Sequence, residues 1–266
     1  MGSGVNIVIF RITLNIQEKI HEKVSLRCSG YFGRIFYTFQ PEKQFDSPLF
    51  FPFQKIMASA RLIRVHPQNP EERKIRELAA ILRDGGLVIY PTDTVYGIGC
   101  DIFQPRAIEK IARIKNLRPE KANFAIICHD MSHLAEFARI STPVYKVMKR
   151  ALPGPFTFVL PATSEVPRIF HNNRKTIGIR IPDHAIPRAL VKELGHPILT
   201  SSIVDDDDVL EYSTDPELIF EKFQNQVDAV IDGGYGQNVA STIVLCENDH
   251  FEVIRHGLGD FSLFEP

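Results

Sequence analysis

A chain of 266 residues, 44% hydrophobic and 24% charged, can bury one sizeable core and has the composition of an ordinary globular protein, which excludes a wholly disordered, collagen-like or fibrous class. The formal net charge of -1 excludes coating of nucleic acid by bulk positive charge, so any basic surface has to be local. No apolar run is long enough to span a bilayer, and the N-terminus lacks the charged start, apolar middle and small-residue cleavage site of a secretory leader. The four cysteines, Cys28, Cys100, Cys128 and Cys246, are dispersed, without a CxxC pair or zinc-ligand spacing; by exclusion the expectation is a cytoplasmic protein with free thiols and no membrane association.

Residues 1–60 are Phe-rich, with Phe51-Pro52-Phe53 near their end and β-like runs without helix caps. Because Met57 immediately precedes the strongly patterned sequence, this stretch reads either as an extension of unassigned role packing on the domain or as the product of an upstream start site. The domain itself is expected over 61–266. Ile75, Leu78, Ala79 and Leu82 recur at helical spacing before the stop signal Gly85-Gly86. The apolar run 87–90, ending at Pro91, reads as a strand buried on both faces. A helix is expected over 104–115, with Ile108, Ile111 and Ala112 inward. Further strands are expected at 124–128, 156–160, 176–181, 198–202, 227–231, 241–246 and 251–255, and further helices at 132–138, 142–152, 186–194 and 215–224. This alternation predicts an α/β fold, a twisted mixed sheet with helices on its faces.

Pro91-Thr92-Asp93-Thr94-Val95-Tyr96-Gly97-Ile98-Gly99 places hydroxyls, a carboxylate and glycines directly after a buried strand, where open α/β sheets bind ligands. Taken alone it reads equally as a Pro-Thr-Asp turn with a tight bend at Gly97. Thr176-Ile177-Gly178-Ile179-Arg180-Ile181 alternates strictly, so Thr176, Gly178 and Arg180 share one face and the isoleucines the other. A guanidinium on such a strand matches a carboxylate or phosphate bidentately, or makes a plain surface salt bridge. Arg106, Lys110, Arg113, Lys115, Arg118 and Lys121 form a basic stretch, either a solvated helix face or a phosphate-binding one. The chain lacks GxxxxGK[ST], so a nucleotide would be held by something other than a Walker loop. Asp205 to Asp208 point in different directions and read as a hydrated loop more readily than a Mg²⁺ site. None of the nine histidines sits in a Ser/His/Asp or HExxH arrangement, so hydrolase chemistry has little support.

Lys115-Asn116-Leu117-Arg118-Pro119, Pro153-Gly154-Pro155-Phe156-Thr157, Thr176 to Pro182 with His184, Ser241-Thr242-Ile243-Val244 and Ile254-Arg255-His256-Gly257 lie in order with the Pro-Thr-Asp-Thr-Val-Tyr-Gly signature. Over roughly residues 61 to 260 the chain thereby resembles the YrdC/YciO family. The resemblance implies a YrdC-like fold with a concave basic surface. For YrdC-type members it also implies a nucleotidyltransferase activity, synthesis of L-threonylcarbamoyladenylate from L-threonine, bicarbonate and ATP, with Mg²⁺, for threonylcarbamoyladenosine modification of tRNA. Such chemistry asks for positioning and charge stabilisation rather than a protein nucleophile. Carried over by position, Thr94, Arg180, Ser202 and Ser241 resemble the threonine contacts, and Lys115, Arg118, Thr176 and Arg255 the ATP contacts.

The chain departs from the YrdC pattern at three places. Two residues rather than one separate Lys115 from Arg118; Ser202-Ile203-Val204 has valine where the Ser-x-Asn asparagine stands; and Cys128 occupies a position that is histidine in many members, with His129 adjacent. Valine offers neither donor nor acceptor, so one ATP contact is lost. With His66-Pro67-Gln68-Asn69-Pro70, Asn123-Phe124 and Arg174-Lys175-Thr176-Ile177-Gly178, these features resemble YciO more closely than YrdC. The alternative to the synthase is therefore a YciO-type protein that binds double-stranded RNA or tRNA without making the adenylate. A different adenylate-forming or carbamoyl-handling enzyme using the same crevice is a third reading.

Overall fold

The computed structural model describes residues 59–117, 124–167, 175–203 and 214–264, together with two short strands, β1 (Gly30–Tyr31) and β2 (Arg34–Ile35). The chain divides into two units, Met1–Gln54 and Lys55–Pro266. In the first, β1 and β2 pair antiparallel. In the second, the strands are β3 (Arg61–Arg64), β4 (Val88–Tyr90), β5 (Gly97–Asp101), β6 (Ala125–Ile127), β7 (Phe156–Pro161), β8 (Thr176–Arg180), β9 (Ile198–Ser202), β10 (Ala229–Asp232), β11 (Thr242–Glu247) and β12 (His250–Arg255). They form one mixed sheet of ten strands in the order β12-β11-β7-β8-β6-β9-β5-β4-β10-β3.

The helices form where the apolar periodicity places them. In α1 (Glu72–Arg83), Ile75, Leu78, Ala79 and Leu82 are buried, and the chain leaves through Gly85 at φ +77°, a left-handed conformation that costs glycine nothing. α2 (Pro105–Ile114) starts on a proline, whose fixed φ suits a first turn, and buries Ala107, Ile108, Ile111 and Ala112. α3 is a single turn (Leu134–Phe137). α4 (Thr142–Ala151) is capped by Ser141, which accepts the Val144 amide, and α6 (Pro216–Phe223) by Asp215, which accepts that of Glu217. α5 (Ala185–Leu194) starts at His184 and stops at Gly195, φ +87°.

The sheet has two unlike faces. On one, Ile126, Phe158, Ile177, Ile179 and Val244 join the buried residues of α2, α4 and α6 in the larger core. On the other, Val88, Tyr90, Ile127, Ile198 and Ile231 pack against Leu78 and Leu82 of α1 and Leu190 and Leu194 of α5. That second layer covers only part of its face. Beyond β6, Thr157, Gly178 and Arg180 point the same way and are buried, whereas Val159 on β7, Thr176 on β8 and Ile243 and Leu245 on β11 stay half-buried. An open face of β8, β7 and β11 therefore adjoins the loops that leave β4, β6 and β8.

Two strands escaped the sequence reading. Gly97 to Gly99, expected to end a ligand-binding segment or a tight turn that begins at Pro91, instead open a central strand, Gly97–Asp101, antiparallel to both β4 and β9 and buried throughout. The glycines misled because they belong to the sheet. A Cβ on Gly99 would lie 2.6 Å from the Tyr90 hydroxyl and 2.7 Å from the Leu199 carbonyl. Tyr90 crosses this glycine groove from β4 to donate to Thr200 Oγ1 on β9 at 2.8 Å. Arg61–Arg64 is an edge strand parallel to β10, mostly exposed and without apolar alternation.

Candidate functional site

The signature segment folds into a tight turn between β4 and β5. The Thr92 hydroxyl donates to the Val95 carbonyl at 2.7 Å and accepts the Thr94 amide at 3.0 Å, a turn stabilised by the side chain rather than by a ladder. Thr92 and Thr94 are buried. Into this turn reaches Arg180, the last residue of β8, with 8% of its surface exposed. Its Nη2 donates to Thr92 Oγ1 at 2.9 Å, Asp93 Oδ1 at 2.6 Å and Thr94 Oγ1 at 2.6 Å. The strand order puts β6 and β9 between β8 and β5, so the arginine ties together segments 86 to 88 residues apart in sequence.

This pairing is incomplete. Nη2 carries all three bonds, while Arg180 Nε and Asp93 Oδ2, both buried, have no partner among the described residues. A guanidinium that offers Nε–H beside two threonine hydroxyls suits a small ligand bearing a carboxylate. His184 stands nearby, on the turn that leads from β8 into α5. Its Nδ1 accepts the Ile186 amide at 3.2 Å, so that nitrogen carries no proton. Burial holds its pKa below the ordinary histidine value, against the pull of Asp93 and Asp183.

A second cluster lies across the open face. Arg255, the last residue of β12, donates from Nε and Nη2 to the Ser241 carbonyl at 3.3 and 2.9 Å, and from Nη2 to Ser241 Oγ at 3.5 Å. Ser241 Oγ lies 2.8 Å from Thr157 Oγ1 on β7. The neighbouring Thr242 accepts the Gly257 amide at 3.0 Å and donates to the Gly259 carbonyl at 2.6 Å, fastening the segment after β12 to the start of β11. Gly257 is required there, since a Cβ would lie 2.3 Å from the Ala240 carbonyl.

The structure thus gathers Thr94 with Arg180, and Ser241 with Arg255. Ser202 faces Gly97 in the β9–β5 register, at the strand end reached directly from the signature turn. Thr176 opens β8, four residues from Arg180 and so roughly 13 Å along the strand. Lys115 follows α2, half-buried. Arg118, Val204 and the acidic run Asp205 to Asp208 lie outside the described residues. Sequence reasoning passed over Thr92, Asp93 and Thr157 as individual contacts, although all three lie inside motifs it quoted. The signal available for Thr157 was the strand alternation that turns it toward the same face as Gly178.

Of the basic stretch, Arg106, Lys110 and Arg113 line the exposed side of α2, whose buried side packs on the larger core. They therefore stand on the opposite side of the sheet from Arg180 and Ser241. Cys128, next to the end of β6, is buried, and burial pushes its thiol up to about 12, which disfavours the nucleophilic thiolate. No cluster of three His, Cys, Asp or Glu residues at metal-binding distance occurs among the described residues.

Residues 80–257 match the family model described as telomere recombination, which unites Sua5, YciO and YrdC. The chain belongs to the Sua5/YciO/YrdC family. It is 39% identical over 201 residues to the uncharacterized protein YciO of Escherichia coli K12, spanning 75% of this chain and 97% of that one. The crystal structure of E. coli YciO superposes with a TM-score of 0.73 at 37% identity, covering 77% of this chain and 100% of the other. A threonylcarbamoyl-AMP synthase of Halorhodospira halophila is 34% identical over 139 residues, 51% of this chain and 71% of that enzyme. P. abyssi Sua5, crystallised with L-threonine, gives a TM-score of 0.67 at 30% identity over 74% of this chain and 57% of its own. The mixed sheet with helices on its faces is accordingly the fold of this family.

Proposed function

We propose that this family member forms L-threonylcarbamoyladenylate from L-threonine, bicarbonate and ATP, and so supplies the group placed on adenosine in tRNA threonylcarbamoyladenosine. The observation that carries the reading is Arg180, buried against Thr92, Asp93 and Thr94 with its Nε still unpartnered. A threonine carboxylate is the anion that this donor set fits, with the Thr94, Ser202 and Ser241 hydroxyls for the remaining polar groups. That P. abyssi Sua5 was solved with L-threonine supports the same ligand here.

In the reaction, the threonine amine is carboxylated by bicarbonate to the carbamate, with loss of water. The resulting carbamate oxygen attacks the α-phosphorus of ATP, and pyrophosphate leaves. The residues bind and orient; none is asked to form a covalent bond. Arg255, with Lys115 and Thr176 and, by resemblance alone, Arg118, is assigned to the nucleotide, where cationic donors offset the charge of the leaving pyrophosphate. A divalent cation such as Mg²⁺ fits as a partner of the triphosphate rather than as a protein-caged ion, since Mg²⁺ accepts phosphate oxygens and water for most of its ligands and the described residues offer no cluster of three ligands. The activity needs a compartment where ATP and tRNA meet, and the cytoplasm is one. The test is product formation by residues 57–266 with labelled bicarbonate, threonine, ATP and Mg²⁺, read by mass. Folded protein giving no product dependent on all three substrates would refute the reading.

A second reading, a YciO-type binder of double-stranded RNA or tRNA without synthase activity, is favoured by Val204 and by the likeness to YciO over 97% of its length. Its mark is RNA affinity that falls steeply with salt, because neutralised phosphates release counterions. Binding that is absent, or insensitive to salt, would remove it.

A further inference from the structure

We infer that Thr157 is a positioning residue that locks Ser241 and Arg255 into one unit, so that threonine and ATP bind cooperatively. The inference rests on the synthase reading. Thr157 sits on β7 between two neighbours that fix its rotamer. In the β7–β8 register Val159 faces Gly178, and a Cβ on Gly178 would lie 3.2 Å from Thr157 Cγ2 and 2.9 Å from Ala125 Cβ. The Thr157 methyl is therefore seated against a strand that offers it space only because residue 178 is glycine. On the other side, β7 runs parallel to β11 with Thr157 beside Ile243, and the Thr157 hydroxyl meets Ser241 Oγ at 2.8 Å.

With the methyl held on one side and the hydroxyl on the other, Thr157 determines where the Ser241 hydroxyl points. Ser241 in turn holds Arg255 through its carbonyl oxygen, which accepts from Nε and Nη2. The resemblance assigns Ser241 to threonine and Arg255 to ATP. The structure joins the two assignments, because whatever draws the Arg255 guanidinium also acts on the residue that faces the amino acid. Thr157 and Ser241 are 7% and 4% exposed, so water competes weakly for their hydroxyls and the contact transmits displacement rather than absorbing it.

Thermodynamic reciprocity makes the consequence measurable: if ATP tightens threonine binding, threonine tightens ATP binding by the same factor. The experiment is calorimetric titration of threonine into the full 266-residue chain, with and without a non-hydrolysable ATP analogue plus Mg²⁺, in wild type, Thr157→Val, Thr157→Ser and Ser241→Ala. The wild type is expected to bind threonine about fivefold or more tightly with the nucleotide present. Thr157→Val, which keeps the shape and loses the hydroxyl, is expected to bring that factor to about one, and Thr157→Ser to restore it. Ser241→Ala removes the other half of the contact, must lose the coupling too, and decides the matter if Thr157→Val does not fold. Wild type that binds both ligands without coupling, or Thr157→Val or Ser241→Ala that keeps it, overturns the inference while leaving the synthase reading intact. Wild type that binds neither ligand overturns both.

Discussion

Replacing Arg180 by leucine tests the electrostatic logic of the site without any ligand. The Arg180 and Asp93 side chains are 10% and 11% exposed, and their oxygen–nitrogen contact is 2.6 Å. Removing one partner of a buried pair leaves the other charge uncompensated, at a cost of about 3–5 kcal/mol. The lower end applies here, because each side chain keeps about a tenth of its exposure and because Thr92 and Thr94 lose only a donor that their own turn partly replaces. A loss of about 3 kcal/mol in a domain of this size lowers Tm by roughly 6–12 °C. The double variant Asp93→Asn/Arg180→Leu removes the stranded charge and should recover at least about half of that loss. Denaturant unfolding of wild type, both single variants and the double variant closes the cycle. An Arg180→Leu cost below about 1 kcal/mol, or a double variant less stable than both singles, would show that Asp93 is solvated well enough to stand alone and would refute the picture of a sealed pair.

Arg180→Ala should also weaken threonine binding more than ATP binding, and Arg255→Ala the reverse; equal losses in folded variants would contradict the division of roles. Gly99→Ala drives a methyl into the Tyr90 hydroxyl and the Leu199 carbonyl, 2.6 and 2.7 Å away, and should destabilise by about 1–3 kcal/mol in a melt. Burial lowers the pKa of His184, so the fold prefers it neutral: its contribution is fully present above the ordinary histidine value of about 6.5 and is lost as pH falls below that, when the unfolded chain gains protons first. Comparison of wild type with His184→Asn, which keeps a capping side chain, should show the wild type losing relative stability as pH falls below about 6.5. On α2, Arg106→Glu with Arg113→Glu should leave adenylate formation unchanged while reducing any RNA affinity and its salt slope by about one unit per lost phosphate contact. Equal damage to both activities would place α2 in the synthase site.

The helices were legible because their signals are local. A periodic apolar stripe, a capping Ser141 or Asp215 and a stopping Gly195 lie within a dozen residues of one another, and each helix forms within two or three residues of its expected bounds. Strands with continuous apolar runs were legible for the same reason. Gly97–Asp101 was not, since its glycines carry no apolar pattern; the packing that makes it a strand comes from Tyr90 and Thr200 on its two neighbours. Strand order was also out of reach, because nothing in residues 156–161 specifies that they lie between 242–247 and 176–180.

At the site, motif reading supplied the residues and the structure supplied the company they keep. The strict alternation of 176–181 correctly put Arg180 opposite the isoleucines, yet its partners lie 86 to 88 residues upstream and are reached only because β4, β5, β9, β6 and β8 are neighbours in the sheet. The basic stretch shows the converse. As a string it reads as either a solvated helix face or a phosphate-binding one; helical geometry turns Arg106, Lys110 and Arg113 to the solvent side of α2, across the sheet from Arg180. Arg180 and Arg255 both donate to buried hydroxyls, Arg180 to Thr92 and Thr94 and Arg255 to Ser241. The α2 face has a different character: its charges are exposed, with Lys110 donating to the Gly85 carbonyl at 3.3 Å and Arg113 3.7 Å from Glu109. The exposed side of α2 and the face that holds Arg180 and Ser241 lie on different sides of the sheet, so substitutions at Arg106 and Arg113 leave the hydroxyl partners of Arg180 and Arg255 in place.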